Sequence, residues 1–147
     1  MVITTKLKEL IKKFEGCELK AYQCPAGILT IGFGSTRYED GLAIRKGDTI
    51  TQAKAELLLE VTLMRFIKEV EKMVKSNINQ NQKDALTDFA YNCGIGNLNS
   101  STLLKKVNAN PNDVTIKDEF LKWNKAKGKV LNGLTKRRQA EATLYFS

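Results

Sequence analysis

Phe14-Glu15-Gly16, Cys24-Pro25-Ala26-Gly27 and Thr30-Ile31-Gly32-Phe33-Gly34 decide the reading of this chain, because they set one acid, one thiol and one hydroxyl in order on a short segment. Upstream, Leu7, Leu10, Ile11 and Phe14 recur at i, i+3, i+4 and i+7, which predicts an amphipathic helix over residues 5–14. Gly16 follows, where helices commonly stop on a left-handed residue. Glu15 is therefore expected at a helix terminus beside Phe14, where desolvation would favour its protonated form and suit it to general-acid work. Leu19, Ala21 and Tyr22 read as extended, Pro25–Gly27 as a turn, and Ile28-Leu29-Thr30-Ile31 as a second strand. Gly32 and Gly34 permit close backbone approach around Phe33. A glutamate facing a turn with a second polar group suits glycosidic bond cleavage. Each residue also has a plain structural alternative: a solvated helix-end charge, a small buried thiol and an ordinary strand threonine.

The absence of histidine excludes much else. It removes Ser-His-Asp and Cys-His nucleophile pairs and makes zinc amidases and peptidases a poor fit. Cys17, Cys24 and Cys93 show no C-x-x-C spacing, so no metal or other cofactor is expected. The thiols are expected to be reduced, with Cys93 on the apolar side of a helix carrying Leu86, Phe89 and Ala90; a Cys17–Cys24 disulfide is disfavoured.

The three opening motifs together resemble the phage-type lysozymes, the muramidases that tailed phages use as endolysins. The family's signature is Glu, eight residues, Asp or Cys, five residues, Thr, matched here by Glu15, Cys24 and Thr30. Around it stand Leu19, Ala21-Tyr22 and Thr30-Ile31-Gly32-Phe33-Gly34. The likeness continues through Gly47-Asp48-Thr49-Ile50-Thr51, Asn81-Gln82, Ala85-Leu86 and Phe89-Ala90-Tyr91-Asn92-Cys93-Gly94-Ile95-Gly96. It closes with Ser100-Ser101-Thr102-Leu103-Leu104, Trp123-Asn124, Gly133-Leu134, Arg137-Arg138 and Ala140-Glu141. Two departures stand out: Cys24 where many members have Asp, and Ser35 where many have His.

The resemblance implies a mainly helical α+β, lysozyme-like fold in one domain of 1–147. Its small β-containing lobe would cover about 15–50, a connecting helix about 51–75, and a helical lobe about 76–147 with residues 1–14 packed on it. Helices are read near 80–93, 100–107, 115–125 and 135–145, with turns at 108–112, 127–129 and Asn132-Gly133. In the long helix Ala53, Leu57, Val61, Met64, Ile67, Val70 and Val74 are expected on the buried side. Thr49 or Thr51 is expected to cap it, and Thr49 with Gln52 fits a capping box.

The resemblance further implies hydrolysis of the β-1,4 bond between N-acetylmuramic acid and N-acetylglucosamine in peptidoglycan, lysing the bacterial host for phage release. Glu15 would be the acid. Cys24, as thiolate, would activate or orient water or attack the sugar, with Thr30 holding that water. An ordinary thiol titrates near about 8.5, so Cys24 would need local stabilisation. Substrate contacts are expected from Tyr91, Asn92 and Ser101 in a cleft between the lobes, Ser101 being equally suited to helix capping. Arg137 and Arg138 are alternatives as partners of Glu15. A lytic transglycosylase on the same bond is a second enzymatic reading.

The net charge of +8 points to a polyanionic partner. Nucleic acid is the runner-up, but the basic residues are not interleaved with aromatics and no nucleic-acid motif appears. An anionic wall explains the same charge. At 147 residues, with 42% hydrophobic and 27% charged content, the chain is expected to form one globular monomer. Lysines interrupt every apolar run of residues 1–20, so neither a secretory leader nor membrane insertion is expected. The expectation is a protein of the host cytoplasm, and the resemblance implies that it reaches the wall through a holin.

Overall fold

The computed structural model describes residues 2–24 and 26–147; the expected turn residue Pro25 lies outside them. The chain divides into two compact units, Val2–Arg65 and Phe66–Ser147. The mainly helical α+β expectation holds, with seven helices and two small two-stranded sheets among the described residues.

In the first unit, α1 (Thr5–Glu15) begins where the Thr4 hydroxyl accepts from Leu7 N–H at 3.1 Å. It ends at Gly16, whose φ of 68° is in the left-handed region and whose N–H donates to Lys12 O. The hairpin follows as β1 (Glu18–Gln23) and β2 (Leu29–Gly32), antiparallel, with Tyr22 opposite Thr30 and Gln23 opposite Leu29. The Gly32-Phe33-Gly34 turn is closed by reciprocal 2.9 Å bonds between Ile31 and Ser35 backbones. Both glycines have positive φ, and a Cβ on Gly32 would already touch Ala55. Ser35 is buried with its hydroxyl 3.5 Å from that of Thr62. Ile31, Ile44 and Leu58 form the small core, with Ala21, Leu29, Tyr38 and Ile50 against it.

The long helix α2 (Gln52–Met73) starts at Thr51, whose hydroxyl accepts from Lys54 N–H at 3.1 Å. Thr49 instead pairs as a β-bridge with Lys20, so the expected Thr49–Gln52 capping box does not form. The buried face also differs from the expected one. Ala55, Leu58, Leu59, Leu63, Ile67 and Val70 are buried, whereas Ala53, Leu57 and Met64 are exposed. Leu57-Leu58-Leu59 lets two stripes a fraction of a turn apart satisfy the same helical period, and packing chooses between them.

The second unit contains α3 (Gln80–Cys93), α4 (Ile95–Ser100), α5 (Thr102–Ala109), α6 (Ile116–Leu121) and α7 (Asn132–Tyr145), with a ribbon of β3 (Lys125–Ala126) and β4 (Lys129–Val130). A reciprocal capping box of Asn79 and Gln82 starts α3. Asn132-Gly133 opens α7 rather than forming a loop; glycine costs little in a first turn whose N–H groups lack intrahelical partners anyway. Phe89 anchors the core, edge-on to Trp123 at 5.4 Å and Phe120 at 6.0 Å.

Charge is buried between α3 and α7. Arg137 donates to both Asp88 oxygens, Nε at 3.0 Å and Nη2 at 2.9 Å. Arg138, fully buried, donates to Glu141 Oε2 at 2.8 Å and lies over the Phe89 ring at 5.2 Å. Its Nε is 2.6 Å from Glu141 Oε1, but too poorly aligned to count as a hydrogen bond. Burial, then the Asp88 carboxylate, pushes the Glu141 carboxyl well above its ordinary value, against the pull of Arg138.

Breaking a buried ion pair by removing one partner costs about 3–5 kcal/mol. Asp88→Asn is therefore expected to lower the thermal midpoint by about 8 °C or more. A midpoint within about 2 °C of the parent in calorimetry would show that the bidentate pair contributes little.

Candidate active site

Glu15, Cys24 and Thr30 all lie in the first unit, on the end of α1 and on the hairpin. The helix end is held from two sides. Lys12, one turn before Glu15, has Nζ 2.5 Å from Glu56 Oε1 on α2 and 5.2 Å from the centroid of the Phe33 ring. Lys8 repeats the link to α2 through Glu60 at 2.9 Å. Lys12 and Lys13 also complement the negative end of the helix dipole. Half-buried Glu15 is thus the last helical residue before the glycine stop.

Cys24 opens a tight loop between the strands. Its N–H donates to Ile28 O at 3.0 Å, and its carbonyl accepts from Gly27 N–H at 2.8 Å. The loop turns backbone donors onto the sulfur. Hydrogen bonds from the Ile28 and Ala26 backbone, with a smaller one from the Thr30 hydroxyl, hold the Cys24 thiol below its ordinary value. Convergent backbone N–H groups favour negative charge on the sulfur at such a loop.

Thr30 is buried, and its Oγ1 donates to Ile28 O at 3.0 Å. The one hydroxyl hydrogen cannot serve the carbonyl and the sulfur together.

Tyr22 belongs to this group, although its sequence position alone did not mark it as a site residue. It faces Thr30 across the hairpin. Burial, then the charges of Glu15, Glu18 and Cys24, raise its hydroxyl above the ordinary value, which sets it in the same electrostatic neighbourhood. The register that sets Tyr22 opposite Thr30 was the signal that could have found it.

The three candidate substrate residues lie in the second unit. Tyr91 sits on α3 with its ring 5.2 Å from that of Phe66, tilted 44°. Asn92 follows, its Oδ1 3.9 Å from the Cys93 sulfur. Ser101 is buried at the start of α5, where its hydroxyl accepts from Leu104 N–H at 3.0 Å and donates to Leu98 O at 2.7 Å. Capping occupies that hydroxyl both ways.

The three cysteines are free thiols with different surroundings. Cys17 lies 3.8 Å from Gln52 Oε1 and is raised, chiefly by burial. Cys93 is pushed up to about 11 by burial despite Arg138 Nη1 at 2.6 Å. Strand β1 separates Cys17 from Cys24 by about 20 Å of extended chain, well beyond the reach of a disulfide. Among the described residues no cluster of three or more His, Cys, Asp or Glu side chains could hold a metal ion. Among them also, no helix is long and apolar enough to cross a membrane.

Residues 12–141 match the family described as phage lysozyme. An endolysin of Bacillus phage B103 is 45% identical over 140 residues, covering 94% of this chain and 51% of that protein. The chain thus spans about half the length of that relative. An endolysin of Acyrthosiphon pisum secondary endosymbiont phage 1 is 42% identical and matches end to end, covering 100% of this chain and 99% of its own. Among solved structures, the endolysin from Escherichia coli O157:H7 phage FAHEc1 superposes with a TM-score of 0.88 at 40% identity, covering 100% of this chain and 94% of that one.

The differing thiols give an ordered alkylation pattern. Limited iodoacetamide at about neutral pH is expected to label Cys24 at least about tenfold faster than Cys17 or Cys93, read by peptide mass mapping. Equal labelling of Cys24 and Cys93 would contradict the thiolate assignment.

Proposed function

We propose a function from one premise: this chain belongs to the phage lysozyme family. It is a glycoside hydrolase that cuts the β-1,4 bond between N-acetylmuramic acid and N-acetylglucosamine in peptidoglycan. The observation that carries this reading is the Cys24 sulfur, surrounded by hydrogen-bond donors on a hairpin that follows directly from the Glu15 helix end.

Glu15 gives its proton to the leaving glycosidic oxygen. Cys24 acts on the sugar side as the thiolate, either drawing a proton from water or attacking the anomeric carbon. Both uses need the sulfur ionised, and both are helped by the Ala26 and Ile28 backbone donors. Thr30 follows the charge: its hydrogen bonds the thiolate first and returns to the Ile28 carbonyl as the sulfur takes up a proton. A water held between Cys24 and Thr30 completes hydrolysis, a step that a transglycosylase does without.

Tyr91 and Asn92 supply sugar contacts in this reading, Tyr91 through its ring and Asn92 through an amide suited to N-acetyl groups. Ser101 serves by capping α5. The biological setting is lysis of the bacterial host for phage release, with access to the wall through a holin lesion in the inner membrane, on the family's precedent.

The test is turbidity loss of outer-membrane-permeabilised cells. The parent is expected to lyse them, Glu15→Gln to lose about 10³-fold or more, and Cys24→Ser about 10²-fold or more. Cys24→Asp is expected to retain activity and extend it to lower pH. The sign follows from the base: parent activity falls as pH drops through the thiol's pKa, and a carboxylate stays ionised down to about 4. Full activity in Cys24→Ser, or an unchanged acid limb in Cys24→Asp, would remove the thiolate from the mechanism. Expressed inside a bacterium, the protein is expected to clear the culture only after chloroform breaches the inner membrane; clearing without it would remove the holin.

A further inference from the structure

A run of unopposed positive charge lies between α6 and α7. Between Glu119 and Glu141 the chain carries seven basic residues and no acidic one. Three of the seven are neutralised within the fold. Lys122 shares the Glu119 carboxylate with Lys106, at 3.0 and 2.9 Å, and Arg137 and Arg138 are buried on Asp88 and Glu141. Lys125, Lys127 and Lys129 are exposed and make no ion pair among the described residues.

All three stand on the β3–β4 ribbon. Lys125 pairs with Val130 and Ala126 with Lys129, so the connecting loop is Lys127-Gly128. Both loop residues have positive φ, 51° and 78°, and Lys127 is the one non-glycine residue with positive φ among those described. Two-residue loops of this kind favour asparagine, aspartate or glycine first. A lysine there is strained by its Cβ, and no hydrogen bond or ion pair among the described residues offsets it. The mount is firm: Leu131 N–H donates to Asn124 O at 2.9 Å, and Asn124 Nδ2 donates to Thr135 Oγ1 of α7 at 3.2 Å. Trp123, one residue earlier, packs edge-on to Phe89. Beside the ammonium groups, Val130 and Leu131 are 59% and 45% exposed.

We propose that this ribbon docks the protein on an anionic phospholipid leaflet, with the three lysines on headgroup phosphates and Val130 and Leu131 at the acyl boundary. Charge complementarity calls for a polyanion, and the two apolar side chains choose among polyanions. A soluble phosphate polymer offers them nothing, and a single-stranded nucleic acid would need aromatic stacking platforms, which Lys125–Leu131 lacks. A leaflet takes both: its phosphates hold lysines, and the region just below them receives short apolar side chains. Lys125 and Val130, paired across the ribbon, share one face, so a single approach seats an ammonium and an apolar group together. The contact is peripheral, and it does not depend on which bond the protein cuts.

The experiment measures partition onto vesicles of phosphatidylglycerol and phosphatidylcholine in equal parts, against phosphatidylcholine alone, at low salt. The parent is expected to sediment with the anionic vesicles only. At about fivefold per lysine, Lys125→Gln/Lys127→Gln/Lys129→Gln together should lower that partition at least about tenfold. A control with the same charge loss on exposed lysines elsewhere, Lys6→Gln/Lys105→Gln/Lys117→Gln, should lose less than about threefold. Equal losses in the two triples would reduce the effect to net charge and overturn the ribbon. The only tryptophan, Trp123, supplies a readout that needs no variant. Lipids brominated near the headgroup should quench its fluorescence in the parent, and Val130→Ser/Leu131→Ser should weaken both quenching and partition. Unquenched Trp123 in vesicle-bound parent, or unchanged partition in the Val130/Leu131 double variant, overturns lipid docking. Failure of the parent to sediment with anionic vesicles overturns it outright, whatever its activity on glycan.

Discussion

The left-handed stop at Gly16 is the constraint on which the site depends. A residue with a Cβ would resist its φ of 68°, and a helix that ran on past Glu15 would consume the start of β1. With the stop in place, Glu15 is the final residue of a rigid element and the chain leaves directly into the hairpin. Lys12 then registers that helix end against two others, the Glu56 carboxylate of α2 and the ring of Phe33 in the glycine turn. Cys24 and Thr30 inherit their positions from the hairpin that follows. Glu15 and Cys24 are thus set by backbone geometry and one lysine.

The same economy governs the sulfur. No cation is needed to make Cys24 acidic, because a loop that must close between β1 and β2 already has spare N–H groups, and they face Sγ. Cys93 shows the opposite outcome: an arginine at 2.6 Å does not outweigh burial, and the thiol stays protonated. Solvent access and backbone donors, rather than the nearest charge, separate the thiol held below its ordinary value from the one pushed above it. In the helical unit, Arg137 joins α7 to Asp88 of α3, while Arg138 pairs with Glu141 of its own helix and reaches Cys93 and Phe89 of α3, so two members of the late basic run are buried instead of adding to a charged surface.

The parts of the fold governed by local signals were legible in the sequence. The apolar stripe with its glycine stop located α1, alternation bounded by glycines located the hairpin, and α3 has the expected limits of 80–93. What was misread depends on contacts distant in sequence. The phase of α2 was ambiguous because Leu57-Leu58-Leu59 fits two stripes, and only burial against Ile31 and Ile44 selects Leu58. Thr49 looked like a helix cap but is held by Lys20, and Asn132-Gly133 looked like a loop but opens α7. Likewise, the Glu15, Cys24 and Thr30 spacing was readable directly. Tyr22 required the hairpin register, which no linear motif records.

The most direct test of the central claim is the mass of the fragments released from purified glycan strands. Hydrolysis by Glu15 and Cys24 adds one water across the cut bond, so the account predicts fragments ending in a reducing muramic sugar that borohydride converts to the alcohol. Fragments lighter by that water, ending in an anhydro-muramic sugar that resists borohydride, would contradict it and identify a transglycosylase instead.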